Sequence, residues 1–382
     1  MHVPVKKPPL DLGEGLAACH QGAIVSCAFG PRLAWAASGG WDGQVLLWDI
    51  ETGRATDRWQ ASPKPISALG VPPGGTCLWT GDLDGRLSRW LIQPHHQESM
   101  ELVHHRPISS IAIAAHGRAL ATSSWDGTIR VTLVGEEGAS HQVLRGHTDV
   151  VVGCQFWPDA KSIVSWSRDG TIRSWEVARG FPLGQWKLPN LRPAALAIAP
   201  HGRSLAVSTE DGSLLLWDVT QPDRPPTQTS GPRAFRGCFF SSDGQILVAV
   251  SAVGEIRFLG VPDLQDVIRP MQVPCRVQAA AMAASGEGLA LGSDDGSLYF
   301  CPLEVLARLD VYVTPTETLE ERSDRSLLGR LRGQSALKRV MRCLCPVCGR
   351  LHELGESLPG PGLVCANCHR GLIFTDFTIL GA

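Results

Sequence analysis

The 382-residue chain is poor in tyrosine, with two, and in lysine, with six, and its acidic and basic residues nearly cancel to a formal charge of -2. So even a balance gives no global pull toward nucleic acid or a membrane surface. No apolar run approaches the ~20 residues that span a bilayer. The opening "MHVPVKKPPLDLGEG" lacks the apolar core of a signal peptide, so no secretion and no membrane anchor are expected, and a cytoplasmic location is. Short enzyme signatures are missing as well: there is no G-x-S-x-G, no GxxxxGK[ST] and no H-E-x-x-H. The scarcity of lysine beside arginine fits the codon supply of a GC-rich, bacterial genome.

What is present is a period. Asp42-Gly43, Asp84-Gly85, Asp126-Gly127, Asp169-Gly170, Asp211-Gly212 and Asp295-Gly296 recur at steps of 42 or 43 residues, with Val253-Gly254 in the remaining slot. Each pair separates two β-rich runs, as in "SIVSWSRDGTIRSWEV". Gly takes positive φ without penalty and Asp bonds the turn backbone, so each slot predicts a hairpin. Seven such units predict small antiparallel sheets that bury their faces against their neighbours in a ring.

Six residues after the Asp slot stand Trp48, Trp90, Trp175 and Trp217, while units three, six and seven carry Thr132, Leu259 and Cys301 there. With Trp48-Asp49, Trp217-Asp218 and Gly146-His147, the pattern resembles the WD-repeat (WD40) β-propellers, over about Gly22 to Leu303. The resemblance implies an all-β fold, a seven-bladed propeller of four-stranded blades. It also implies hydrogen-bonded tetrads: His20, Ser38, Asp42 and Trp48 in unit one, and His147, Ser165, Asp169 and Trp175 in unit four. Unit three carries His104, Thr122 and Asp126 without the Trp, and unit two Thr80, Asp84 and Trp90 without the His. Units five to seven depart further, with Pro189, Gly231 and Val273 at the His slot. His, Ser and Asp are also the residue types of a hydrolase triad. Recurrence in successive units argues instead for a buried network that satisfies its own polar groups. His95-His96 and His104-His105 are adjacent pairs whose side chains point apart, which disfavours a shared metal.

In this family the residue before each turn Asp is displayed on the interaction face. Here that set is Trp41, Leu83, Trp125, Arg168 and Glu210. The strand-opening positions add Lys64, His105, Arg106, Arg192, Arg233 and Arg276. Trp and Arg are hot-spot types in protein interfaces. The alternative for the tryptophans is packing over neighbouring blades, and Trp157 and Trp166 are expected to be packed. The last blade needs a closing strand, either "HVPV" from the N-terminus or "RLDVYV" at 308–313, of which the second is richer in β-formers.

The pattern changes after Pro315. Leu327, Leu328, Leu331, Leu337, Val340 and Met341 fall roughly at helical spacing, so 315–342 is expected to be a partly helical linker, weakened by Gly329 and Gly333. Of twelve cysteines, seven are scattered, as buried reduced thiols would be. Five crowd the tail, where Cys345, Cys348, Cys365 and Cys368 form C-x2-C-x16-C-x2-C. Four thiolates in two tight turns suit one tetrahedral, structural Zn²⁺, and leave no open position for catalysis. The set resembles a zinc ribbon over about Cys343 to Thr378. Iron in the same S₄ geometry and a redox pair are the alternatives. A covalent haem at Cys365-Ala-Asn-Cys368-His369 would leave the first pair unexplained.

The organisation expected is thus an N-terminal segment 1–21, a propeller 22–314, a linker 315–342 and a zinc ribbon 343–382. The function expected is a non-enzymatic scaffold for protein partners, with no small-molecule substrate. WD-repeat proteins of GC-rich bacteria are similar to parts of multi-protein, NTPase-containing systems, which implies such a setting. The rival is nucleic-acid binding through Arg325, Arg330, Arg332, Lys338, Arg339 and Arg342, whose mark would be steep salt dependence.

Overall fold

All seven glycines of the Asp-Gly register take the left-handed backbone that their turns demand, with φ between +74° and +92°. A side chain there would be strained, and at Gly43, Gly85, Gly254 and Gly296 it would also strike a carbonyl oxygen; at Gly43 a Cβ would sit 2.2 Å from the Ser62 carbonyl. In the computed structural model the described residues are 20–303, apart from 93–94, 136–137, 222–223 and 232, and the later strands 311–313, 316–322, 336–344, 351–355, 372–374 and 378–379. The chain divides into two units, Met1–Leu303 and Glu304–Ala382.

The first unit is a seven-bladed propeller. Six blades are four-stranded antiparallel meanders, and the seventh shows three strands among the described residues, Val277–Met282, Gly288–Ser293 and Leu298–Pro302. The innermost strands of blades one to six are Ile24–Phe29, Ile66–Gly70, Ile108–Ile113, Val151–Phe156, Pro193–Ile198 and Phe235–Phe240. Their burial exceeds that of the outermost strands, and the outer strand His96–Leu102 is exposed along its whole length.

The core lies between blades. Ile129, Val131 and Leu144 of blade three pack with Val151, Phe156 and Trp175 of blade four. At the seam, Ile24, Leu46 and Trp48 of blade one cluster with Ala290, Leu298 and Phe300 of blade seven. Phe29 meets Phe300 edge-on at 6.0 Å between ring centroids, and the His20 amide donates to the Gly296 carbonyl at 3.2 Å. The ring is therefore closed by side-chain burial, which at about 25 cal/mol per Å² of apolar area is the main driving term.

A second turn recurs on the opposite face. Leu33, Gly75, Gly117, Ala160, Gly202, Gly244 and Gly286 all have positive φ and follow the same 42- or 43-residue step. Five of the seven are glycine, and this second register was not recognised in the sequence.

Two expectations need correction. The run 311–313 is not the outer strand of blade seven. It pairs in parallel with 372–374, because its β-forming residues select a strand without specifying its partner. The competing "HVPV" lies outside the described residues. Within 315–342, the described residues 316–322 and 336–342 are strand, whereas Leu327, Leu328 and Leu331 lie outside the described residues. Thr316–Arg322 pairs antiparallel with Ala336–Leu344 along its full length, in a four-stranded sheet completed by 351–355 and 378–379. Helical spacing of a few apolar residues is a local preference, and pairing with a remote segment overrides it. Cys345, Cys348, Cys365 and Cys368 lie outside the described residues.

Candidate functional site

The turns build polar networks first. In blade one His20 Nδ1 lies 2.9 Å from Asp42 and its Nε2 lies 2.9 Å from the Ser38 hydroxyl. Trp48 donates its indole N–H to the same hydroxyl at 2.9 Å. Blade four repeats this with His147, Asp169, Ser165 and Trp175 at 2.8 to 2.9 Å. The indole can only donate, so Ser165 accepts from it, and the Asp169 carboxylate can only accept, so a ring whose pKa burial lowers offers it the Nδ1 proton and takes the Ser165 proton at Nε2. His147 is then neutral, with its proton on Nδ1 and directed at Asp169. Blade three has His104, Thr122 and Asp126 in the same arrangement. Its Thr132, at the Trp slot, instead bonds His141 at 3.0 Å.

These sets have the order of a triad but cannot supply its nucleophile. Ser38 and Ser165 are wholly buried, and their oxygens are already occupied by indole N–H groups. Burial pushes the Asp42 carboxyl upward, but the hydrogen bond and charge of His20, with the Gln21 and Gln44 amides, outweigh it and hold the group at about 2. At Asp169 burial likewise pushes upward, but bonds to Thr171, His147 and the Thr148 amide outweigh it and hold the carboxyl below its ordinary value. His147 is lowered by burial and by Arg173, against the pull of Asp169. Such groups are held in one protonation state, which suits a structural lock.

Blade two departs from its expected set. Trp90 does donate to Thr80, at 3.1 Å, but Asp84 forms an exposed pair with Arg86 instead of binding the network. The turn is organised by Asp82, two residues earlier. Its buried carboxylate accepts from the Ser62 hydroxyl at 2.7 Å and from the Asp84 and Arg86 amides, each at 2.9 Å. Ser62 occupies the slot that His20 and His104 fill in their blades, and the shorter side chain reaches a carboxylate set two residues back. His95 is exposed and lies beside two tryptophans. Its ring lies 4.3 Å from that of Trp59 and 6.0 Å from that of Trp90.

Above these networks lies the displayed face. Trp41 and Trp125 are 55% and 46% exposed, the largest exposure among the tryptophans. Leu83 is half-buried and Arg168 exposed. Together with Pro65 and Pro107, these four line one cavity of about 320 Å³ at the mouth of the central channel. His105, Arg106, Arg192 and Arg276 are exposed, as are Lys64 and Arg233; none of the six lines that cavity. Trp157 and Trp166 pack into the cluster of blades four and five. What the sequence did not reveal is a backbone tie under each displayed residue. Its amide donates to the carbonyl of a strand-opening residue, as in Trp41 to Ala23, Leu83 to Pro65, Trp125 to Pro107 and Arg168 to Val150, at 2.9 to 3.3 Å.

Comparison with known proteins agrees with this geometry. The family model described as "WD domain, G-beta repeat" matches residues 15–49, 97–132, 138–176 and 194–218. Blades six and seven, which it does not reach, are present in the fold. WD repeat-containing protein 90 of Xenopus tropicalis is 26% identical over 177 residues, 46% of this chain and 9% of that protein. Apoptotic protease-activating factor 1 of Danio rerio is 30% identical over 126 residues, 33% of this chain and 10% of that protein. Periodic tryptophan protein 2 of Arabidopsis thaliana is 26% identical over 151 residues, 34% of this chain and 16% of that protein. The similarity thus spans a small part of each relative's length.

Proposed function

We propose that this seven-bladed WD40 propeller is a non-enzymatic scaffold that seats a protein partner on the face carrying Trp41, Leu83, Trp125 and Arg168, as one subunit of a multi-protein assembly. The observation that carries the reading is their convergence on one cavity of about 320 Å³. Half-exposed Trp beside Arg is the composition of an interface anchor, where few residues supply most of the binding energy. The tethered amides under these residues hold the display rigid before binding, which lowers its entropic cost. Six free thiols among the described residues suit a reducing compartment, and we place the protein in the cytoplasm.

Replacing Trp41 and Trp125 together by Ala tests this reading. The double variant is expected to melt like the parent and to lose at least one partner in affinity purification from the native host. Recovery of every partner at unchanged yield rejects it.

For the second unit we propose a zinc-held contact module. Its support is the donor set, four thiols in two C-x2-C pairs. The first pair falls in the connection 345–350 between Ala336–Leu344 and Leu351–Gly355, antiparallel strands paired at Leu344 and Leu351. Metal analysis of the purified full chain is expected to find one zinc, released by Cys345→Ser. A wild-type protein without bound metal removes the proposal.

A further inference from the structure

The displayed face is not uniform around its ring. The seven amide-to-carbonyl ties sort it blade by blade. In blades one to three both members are apolar: Trp41 with Ala23, Leu83 with Pro65, Trp125 with Pro107. Blade four joins Arg168 to Val150, and blade six joins Ala252 to Ala234. Blades five and seven join residues of opposite charge, Glu210 to Arg192 and Asp294 to Arg276. The apolar arc and the cavity coincide, whereas blades five and seven present charged residues, of which Glu210 pairs with Arg168 of blade four.

The rim of the arc is different. Lys64 and Arg106 immediately precede Pro65 and Pro107, both are exposed, and neither has a carboxylate within ion-pair distance among the described residues. The acidic groups nearby are already engaged. Asp84 holds Arg86 at 2.9 Å and Glu210 holds Arg168 at 3.5 Å. Asp42 and Asp126 accept from His20 and His104, and Asp149 accepts from the Val150 amide at 2.7 Å. Two uncompensated cations therefore flank an apolar hollow at the small end of ligand pockets, which run about 300–1,000 Å³. A hollow of that size takes one or two side chains.

On the docking reading above, we infer that the occupant is an acidic segment of the partner protein that inserts one apolar or aromatic side chain between Trp41, Leu83 and Trp125. Flanking Asp or Glu residues meet Lys64 and Arg106, which steer the approach and set the register. A basic segment would face the same two cations unpaired, so the rim selects by repulsion as well as attraction.

Selection of a random linear peptide library on the immobilised full chain, with the Trp41→Ala/Trp125→Ala variant as counter-selection, tests this. The peptides lost on the double variant are expected to carry Phe, Leu or Trp between acidic residues. Reversing the rim with Lys64→Glu and Arg106→Glu is expected to weaken a selected peptide by about tenfold or more, and to flatten its salt dependence. Selected peptides that are basic or uncharged, or an affinity unmoved by the reversal, overturn the acidic class and leave the docking site standing. No peptide distinguishing parent from double variant overturns both. Unchanged melting temperatures of the variants secure that the loss is one of contact.

Discussion

Ser165 accepts from Trp175 and donates to His147, so one hydroxyl fixes the direction of a four-residue chain of hydrogen bonds. Ser165→Ala would leave an indole N–H and an imidazole nitrogen buried without partners. At about 1–3 kcal/mol for each unsatisfied group, chemical denaturation should show a loss of about 2–6 kcal/mol. The network also has a pH signature. The folded pKa of His147 lies below its ordinary 6.5, so its contribution is fully present above that value and is lost as pH falls toward the folded pKa. Asp169, also lowered, acts with the same sign at lower pH. Stability is expected to fall on acidification from pH 6.5 in the parent, and less steeply in His147→Gln, measured by denaturant midpoints across pH. In blade two the weight falls on the residue that the motif does not name. Asp82→Ala should cost about 1–3 kcal/mol, since it strips acceptors from Ser62 and two amides. Asp84→Ala should stay within about 0.5 kcal/mol, as surface changes do. The His, Ser, Asp and Trp positions of blades one and four followed from the resemblance to WD repeats. Asp82 could not, because spacing records which slot is filled and says nothing about which carboxylate a shorter side chain can reach.

At the scale of elements, turns were the most legible part. Gly at 43, 85, 127, 170, 212, 254 and 296 is required by backbone sterics alone, and sterics is local. The second register, from Leu33 to Gly286, was legible in principle, but Leu33 and Ala160 interrupt its glycines. Ala160 sits at φ +55°, where an L-residue pays roughly 1–2 kcal/mol. Ala160→Gly trades that strain against added freedom of the unfolded chain, about 0.4–1 kcal/mol. The expected net is a gain of about 0.5 kcal/mol in denaturation midpoints, and a loss would mean that the turn is unstrained. The segment 316–344 shows the reverse situation. Its apolar spacing suggested helix, yet Thr316–Arg322 and Ala336–Leu344 form a hairpin-like pair. Neither strand is stable by itself, so its identity depends on the other.

At the scale of the molecule the ring succeeds or fails at its seam. Phe300 is buried against Phe29 and the blade-one cluster, so Phe300→Ala is expected to cost about 3–5 kcal/mol. Limited proteolysis should then release blade seven before the rest of the ring, and simultaneous loss of all blades would argue against a weak seam. The acidic-peptide inference belongs to this scale as well. Trp41, Leu83 and Trp125 come from three successive repeats, and the packing of neighbouring blades brings them to one hollow.

Residues alone determined the number of repeats, the position of every Asp-Gly turn and, through the resemblance to WD repeats, the two complete tetrads. Each depends on interactions within one repeat or on the sterics of one backbone position, and such constraints leave a periodic trace. Tertiary structure alone decided that 311–313 pairs with 372–374, that Asp82 replaces Asp84, and that one arc of the face is apolar with unpaired cations at its rim. Those outcomes depend on groups separated in the chain, whose meeting is set by strand pairing and burial within each unit and not by any local preference.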